Sequence, residues 1–441
     1  MRYLLAVSRL NQVVSLSLAL GLLCPAPTAR GQDMGQVRET ISTLAAPAMH
    51  GRGYVQNGSK RAASYLHRRF QALGLRSFTP RYAQPFAITV NTFPGEFSLH
   101  LDGQPLQPGT DFIADPASGP GRISGPVLAL DSLIFTSEQA GQRFLAQRLS
   151  GYVVVLRRRD AERLRTLPDT FTQHLDQAAA LITLVPDKLT ASLAATQHRQ
   201  PRLQVIARRW PGRCRQATVR VEARLERNYP TQNLIGYVPG RIQPDSFLVV
   251  TAHYDHLGRM GSKVFFPGAN DNASGTAMLL ALAEHYAKPE NQPAYSMAFI
   301  AFGAEEAGLL GSRHYVAHPL FPLTSIRLLL NMDLLGTGEE GITVVNGKLL
   351  ESEFRLLTRL NATGRYVPQL AARGRAANSD HYPFSELGVP ALFFYTRGGN
   401  KAYHDVYDQP AGLSLAGFLG TFQLTTHLLN LLGGQPAQPS R

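Results

Sequence analysis

Cysteine is scarce: only Cys24 and Cys214 occur in 441 residues. That excludes a disulfide-stapled scaffold and a metal site built on thiolates. Acidic residues are in deficit as well, 31 Asp and Glu against 44 Lys and Arg, a net of +13. Long apolar runs are missing. The most apolar early stretch, 13–23, falls short of the about 20 residues that a membrane span needs. No nucleotide loop is present either, because the Gly-x-Gly pairs lack the strand–loop–helix setting that makes them bind phosphate. What remains is ordinary globular composition, 44% hydrophobic and 17% charged. The length allows two or three domains of about 100–200 residues each.

Residues 1–31 read as a secretory signal peptide. Arg2 and Arg9 precede the apolar run, and a Pro/Ala/Thr stretch follows, with cleavage near Ala29 or Gly31. An N-terminal anchor is the other reading of this stretch. Leu23 before Cys24 is bulky for a lipid-attachment signal. Cleavage after Gly31 removes Arg2, Arg9 and Arg30 and no acid, so +13 becomes +10, and it leaves Cys214 alone. An exported chain without bridges fits a bacterial periplasm or exterior.

Helical spacing of Ala63, Tyr65, Leu66, Phe70 and Leu73 predicts a helix over 57–74, after another over 36–48. A strand over 82–90 completes a first segment, 32–92. Between 93 and 221 short β-prone runs alternate with Gly and Pro, and arginines cluster (Arg157, Arg158, Arg159, Arg163, Arg165, Arg208, Arg209). This reads as an inserted smaller α/β or β-rich domain. From 222 to 435 strands (247–251, 295–302, 326–331, 391–395) alternate with helices (273–287, 306–317, 413–432), leaving a tail, 436–441. The expected fold is therefore α/β, a mixed, mostly parallel central sheet flanked by helices.

In such sheets sites gather at the carboxyl ends of strands. His253 and Asp255 follow the strand ending at 251. Asp271 lies in the loop Gly268-Ala-Asn-Asp-Asn-Ala-Ser-Gly275. Glu305 and Glu306 follow the strand ending at 302, Asp333 follows 328–330, and His404 comes after 391–395. Imidazoles and carboxylates are ligand types that suit zinc. Each has an ordinary use too: Asp271 as a helix cap, Glu305 and Glu306 as acids at a helix start. Their joint arrival at strand ends favours a metal site.

The His-x-Asp pair, the Asp-Asn-Ala-Ser-Gly block and the Glu-Glu-Ala-Gly-Leu-Leu-Gly-Ser block together resemble the two-zinc aminopeptidase family. That family includes bacterial leucyl aminopeptidases and glutamate carboxypeptidase II-like enzymes. The resemblance covers about 36–92 and 228–433 and implies the phosphorylase/hydrolase-like zinc exopeptidase fold. The 93–221 segment is weakly similar to protease-associated domains. The resemblance implies two Zn²⁺ per chain bridged by Asp271, with His253 and Asp333 on one and Glu306 and His404 on the other. It makes Glu305 the general acid/base and has Asp255 hydrogen-bond the second nitrogen of His253. A bridge needs two oxygens, which suits Asp at 271. Adjacent Glu305 and Glu306 can divide the work, one ligating and one facing the water.

The implied reaction is hydrolysis of N-terminal peptide bonds of peptides or proteins. Glutaminyl cyclase-like and glutamate carboxypeptidase-like chemistry on the same fold are the enzymatic alternatives. An anion-binding module using the basic insertion is the non-enzymatic one, with nucleic acid not expected as a partner of an exported chain. Ser379-Asp380-His381-Tyr382 resembles a segment near the substrate pocket. Tyr382, Tyr395 or Tyr403 is open as a donor to the developing oxyanion, and Asp408 is a candidate support for His404.

Overall fold

The run Phe247-Leu-Val-Val-Thr-Ala-His253 is apolar without alternation, so a strand there has to be covered on both faces. The computed structural model, which describes residues 33–434, places it in the middle of a nine-stranded sheet. The expected signal segment 1–31 and the tail 436–441 lie outside the described residues.

In chain order the sheet and its helices are α1 (Met34–Leu44), α2 (Gly58–Ala72), β1 (Ala83–Thr92), β2 (Arg224–Val238), β3 (Gln243–His253), α3 (Gly275–Ala287), β4 (Tyr295–Phe302), α4 (Leu310–Ala317), β5 (Ile326–Met332), β6 (Gly341–Val345), α5 (Glu351–Gly364), β7 (Leu370–Ala372), α6 (His381–Glu386), β8 (Ala391–Arg397) and α7 (Phe418–Leu432). The strands run β2-β4-β3-β5-β8-β6-β7, β1 pairs with β2, and the two-residue strand Arg76–Ser77, the ninth, also pairs with β2. The four central strands β4, β3, β5 and β8 are parallel. Antiparallel pairs flank them, β2 with β4 and β6 with β8. The expected mixed α/β sheet is thus present, parallel at its centre.

Both faces are covered, as the sequence of β3 requires. On one face α3 is buried almost all round and contacts α1, α7 and β3. On the other, Phe247 stacks on Phe321 at 4.1 Å beside buried Tyr315 and Phe384. Asp33 caps α1 by accepting from the Gly35 and Gln36 amides.

Four element expectations need correction. The first helix stops at Leu44 rather than 48, because Pro47 opens a separate 3₁₀ turn, Pro47–Arg52. The helix expected from 306 begins at Leu310. Ala304, Gly308 and Leu309 have positive φ, so Glu305 and Glu306 sit on an irregular turn. The helix expected from 413 begins at Phe418, after a separate 3₁₀ turn at Pro410–Gly412. Strand β6 and helix α5 were not expected at all.

A second, eight-stranded sheet is built from residues 97–221. Its centre is four parallel strands, Gly121–Ala129, Val153–Arg157, Ala180–Val185 and Arg202–Ile206. The apolar core on this sheet takes in Leu257, Met260, Val264 and Phe266, so the connection that follows β3 packs into it. The described residues, 33–434, cluster as one compact unit. Among the described residues no helix is long and apolar enough to cross a membrane.

At the end of α3, burial and then Lys288 pull the His285 imidazole down to about 4. Its folded value lies below the ordinary 6.5, so the stability it contributes is complete above pH 6.5 and is lost as pH falls towards 4. His285→Phe should therefore flatten the acid limb of the urea-unfolding midpoint, with the unsubstituted protein losing about 1–3 kcal/mol more between pH 7 and 4. Parallel curves for the two proteins would contradict this.

Candidate metal centre

Parallel strands in register end together. His253 closes β3 opposite Phe302 of β4, and Thr251 pairs with Asn331 of β5, so the residues that follow converge on one edge. There His253 Nε2 lies 3.4 Å from Asp271 Oδ1 and 3.4 Å from Asp333 Oδ1. His404 Nε2 lies 3.0 Å from Asp271 Oδ2 and 3.2 Å from Glu306 Oε2. Each oxygen of Asp271 thus faces a different imidazole. Glu305 stands beside the first group, Oε2 4.0 Å from His253 Nε2.

These separations suit metal ligands. Four donors held about 2.0–2.1 Å from a tetrahedral zinc are about 3.3 Å apart. Two sets of donor atoms meet the spacing for a cation, His253 with Asp271 and Asp333, and His256 with Asp271 and Glu306, so Asp271 belongs to both. Asp333 Oδ1 is buried and makes no hydrogen bond, as a carboxylate waiting for a cation should. The donor set fits a two-zinc centre.

His256 is a histidine the sequence reading missed. It is fully buried, and its Nδ1 is 2.6 Å from Glu306 Oε1, a hydrogen-bond length rather than a ligand–ligand edge. It therefore braces one oxygen of Glu306, while the other faces His404. Gly268, at φ +57°, leaves room for this ring, because a Cβ there would come within 2.4 Å of His256 Cδ2.

Charge follows the same division. Burial alone would lower the two facing imidazoles, yet Glu305 and Asp333 push His253 well up, and Glu306 with Asp271 push His404 to about 11. Burial would raise Asp271, but His253 and His404 hold it well below the usual range. Glu306 falls to about 2 because His404 and His256 outweigh burial and Asp271. Glu305 goes the other way, driven well up by burial and by Glu306. Two neighbouring glutamates thus differ in proton affinity, the condition for separate roles.

Two expected contacts are not formed. The Asp255 carboxylate is 3.8 Å from His253 Nδ1, which lies 3.3 Å from the Asp255 carbonyl instead. The chain leaves strand geometry at His253, so Asp255 turns towards the β4 loop. There it accepts from the Glu305 amide (3.1 Å), the Glu306 amide (3.3 Å) and the Tyr54 hydroxyl (2.9 Å). Asp408 does not support His404. It accepts from the Asn270 and Asp271 amides at 2.8 and 3.0 Å and so fixes the Asp271 loop, while burial raises its carboxyl to about 6. His404 Nδ1 is 3.0 Å from the Ala191 carbonyl.

In the 379–382 segment, Ser379 Oγ donates to Asp333 Oδ2 at 2.9 Å and accepts from Asn331. Asp380 is fully buried, which raises its carboxyl to about 7. His381 packs against Phe393 and stays out of the cluster. Of the three tyrosines, Tyr403 stacks on His404 at 3.9 Å. Burial and then Asp271, Glu306 and Asp333 drive its phenol upward, so it stays protonated.

Residues 233–428 match the family described as Peptidase family M28. Aminopeptidase YwaD of Bacillus subtilis (strain 168) is 34% identical over 184 residues, 41% of this chain and 38% of that one. Leupeptin-inactivating enzyme 1 of Streptomyces exfoliatus is 33% identical over 160 residues, 36% of this chain and 34% of that one. The chain thus matches less than half the length of these relatives. Among solved structures, the zinc aminopeptidase BSAP from Bacillus subtilis superposes with TM-score 0.68 at 22% identity, over 93% of this chain and 97% of that one. An aminopeptidase from Aneurinibacillus sp. strain AM-1 gives 0.61 at 19%, over 92% and 96%. At these identities the likeness shows the fold, and it spans both sheets.

One more buried charge, outside the matched segment, went unremarked in the sequence. Arg52 is wholly inaccessible and donates to five carbonyls, those of Leu44, Tyr254, Pro267, Gly268 and Asp271. Burial lowers it to about 10, with Asp271 and Asp408 opposing, so it remains a cation beneath the carboxylates. Its only signal in the sequence is the flanking glycines. Gly53 lets the chain pass Gly258, where a Cβ would lie 2.3 Å from the Gly258 Cα. Arg52→Met should leave those carbonyls unpaired and cost at least about 3 kcal/mol of unfolding free energy. A loss under about 1 kcal/mol in denaturant titration would rule the role out.

Proposed function

We propose that the chain is an exported zinc aminopeptidase, removing residues from the N-termini of peptides or proteins. The observation that carries this is Asp271, whose two carboxylate oxygens face two separate donor sets, with Glu305 beside them and engaged by neither. In this reading His253, Asp271 and Asp333 hold one zinc, and Asp271, Glu306 and His404 hold the other. The ligand–ligand separations of 3.0–3.4 Å support that division. Zinc in such a pair supplies an acidified water and a Lewis acid for the scissile carbonyl.

Glu305 takes the proton of the attacking water and returns it to the leaving amine, work worth about 10²–10⁴-fold. Its raised proton affinity suits both halves of that transfer. Tyr403, stacked on His404 and kept protonated, donates to the developing oxyanion. Asp255 does not touch substrate. By accepting from both glutamate amides it sets where Glu305 and Glu306 point. A free α-amino group finds its counter-charge among the same carboxylates.

The carboxypeptidase alternative needs arginines to hold an acidic C-terminal residue. Arg375 is paired with Glu386, and Arg397 donates to Gln369 and the Glu340 carbonyl, which leaves Arg373 as the remaining candidate of the three. Export rests on the pattern of residues 1–31.

Glu305→Gln should keep two zinc equivalents by elemental analysis and lose turnover of amino-acid anilides by about 10²–10⁴-fold. Unchanged rates would remove Glu305 from the reaction, and a single equivalent in the unsubstituted protein would remove the Asp271 bridge. A Gln-initiated peptide followed by mass decides against the cyclase, since the aminopeptidase releases a residue whereas a cyclase releases ammonia.

A further inference from the structure

Parallel neighbours in a sheet are usually joined by a crossover helix. The parallel pair Ala180–Val185 and Arg202–Ile206 of the second sheet is joined instead by 186–201, which contains neither helix nor strand. A connection of this length without structure of its own is uncommon inside a compact unit. It is not loose. It leaves its own sheet and lies across the metal centre.

Three contacts tie it there. The Ala191 amide donates to the His404 carbonyl at 2.9 Å, and His404 Nδ1 is 3.0 Å from the Ala191 carbonyl, so one residue holds both the backbone and the ring of His404. Lys188 Nζ pairs with Asp405 Oδ2 at 3.0 Å and donates to the Lys401 carbonyl at 3.2 Å, clamping the chain on either side of His404. Leu193 packs against the buried cluster that contains Tyr54, the tyrosine that donates to Asp255, and Ala304 of the Glu305 loop. Buried Leu189 and Ala191 share a core with Leu257, Val264 and Phe266. His404 has φ 53°, a conformation a non-glycine residue keeps only when its surroundings impose it.

We propose that residues 188–193 are a positioning strap for His404. The Ala191 carbonyl accepts a hydrogen bond from Nδ1–H and so leaves Nε2, which faces Asp271 and Glu306, as the ligating nitrogen, while the Lys188 clamp keeps the strained backbone of His404 in place. The inserted segment is on this view part of the metal centre. The inference rests on the ligand set proposed above, with His404 as a zinc ligand. A ligating histidine normally donates its other nitrogen to a carboxylate or a carbonyl, and losing that partner costs about 10–100-fold in metal affinity. Here the carbonyl comes from the other sheet.

The test uses the full chain and counts zinc per chain by elemental analysis after dialysis against graded chelator. Four variants are compared: Lys188→Met, Lys188→Arg, Ala191→Pro, which removes the amide donor, and Leu149→Ala, which loosens the second sheet's core away from the strap. The unsubstituted protein, Lys188→Arg and Leu149→Ala should hold two equivalents. Lys188→Met and Ala191→Pro should release one of the two at about 10–100-fold lower chelator. The metal-free melting temperature of Lys188→Met should stay unchanged, as for an exposed substitution. Should Ala191→Pro not fold, the Lys188 pair still decides. Two equivalents held as tightly in Lys188→Met as in the unsubstituted protein would overturn the strap, and so would an equal loss in Leu149→Ala. Fewer than two equivalents in the unsubstituted protein would instead overturn the ligand set on which the strap rests.

Discussion

Buried negative charge at the end of a parallel sheet is the constraint that organises this protein. Asp255, Asp271, Asp333, Asp380 and Asp408 are all buried, and Glu305 and Glu306 lie among them. Carboxylates out of water are costly unless each oxygen has a donor or a cation. The structure answers with backbone amides for Asp255 and Asp408, a hydroxyl for Asp333, imidazoles for Asp271 and Glu306, and the buried Arg52 below. Asp333 Oδ1 and the facing Nε2 atoms are left for metal. The reactive edge is thus a charge-balance problem in which zinc is one of the cations.

That view separates residues that touch a metal from residues that hold the ligands still. Asp255 and Asp408 are as buried as any proposed ligand, yet each spends its oxygens on amides of the loop carrying another ligand. His256 does the same for Glu306 through one ring nitrogen. The loops concerned are irregular, with Ala304, Leu309 and His404 at positive φ, so they depend on these side-chain bonds in place of a regular ladder. The second sheet adds the last such support through Ala191.

The sequence was most legible where chemistry is local. Apolar runs and helical periodicity located most of the central sheet and its helices, and the strand-end rule singled out His253, Asp271, Glu305, Glu306, Asp333 and His404, which the fold brings to one edge. Legibility failed where function depends on direction. His-x-Asp spacing suggests a carboxylate behind the imidazole, but the strand ends at His253 and the next residues turn away. Four-residue spacing paired Asp408 with His404, whereas Asp408 reaches back to a loop more than a hundred residues earlier. Arg52 and His256 carry no motif and went unremarked in the sequence. Nothing local marks a side chain whose partners are distant carbonyls.

Composition and order of residues by themselves determined the α/β class, the donor types available and the exclusion of thiolate chemistry, because periodicity and side-chain chemistry belong to each segment alone. Which oxygen faces which imidazole, which histidine braces and which faces the centre, and that a strand connection in the second sheet reaches His404 were decided only by tertiary structure. Those are relations between segments far apart in the chain, fixed by the packing of loops from one sheet onto the other part of the structure. No single stretch of sequence contains them.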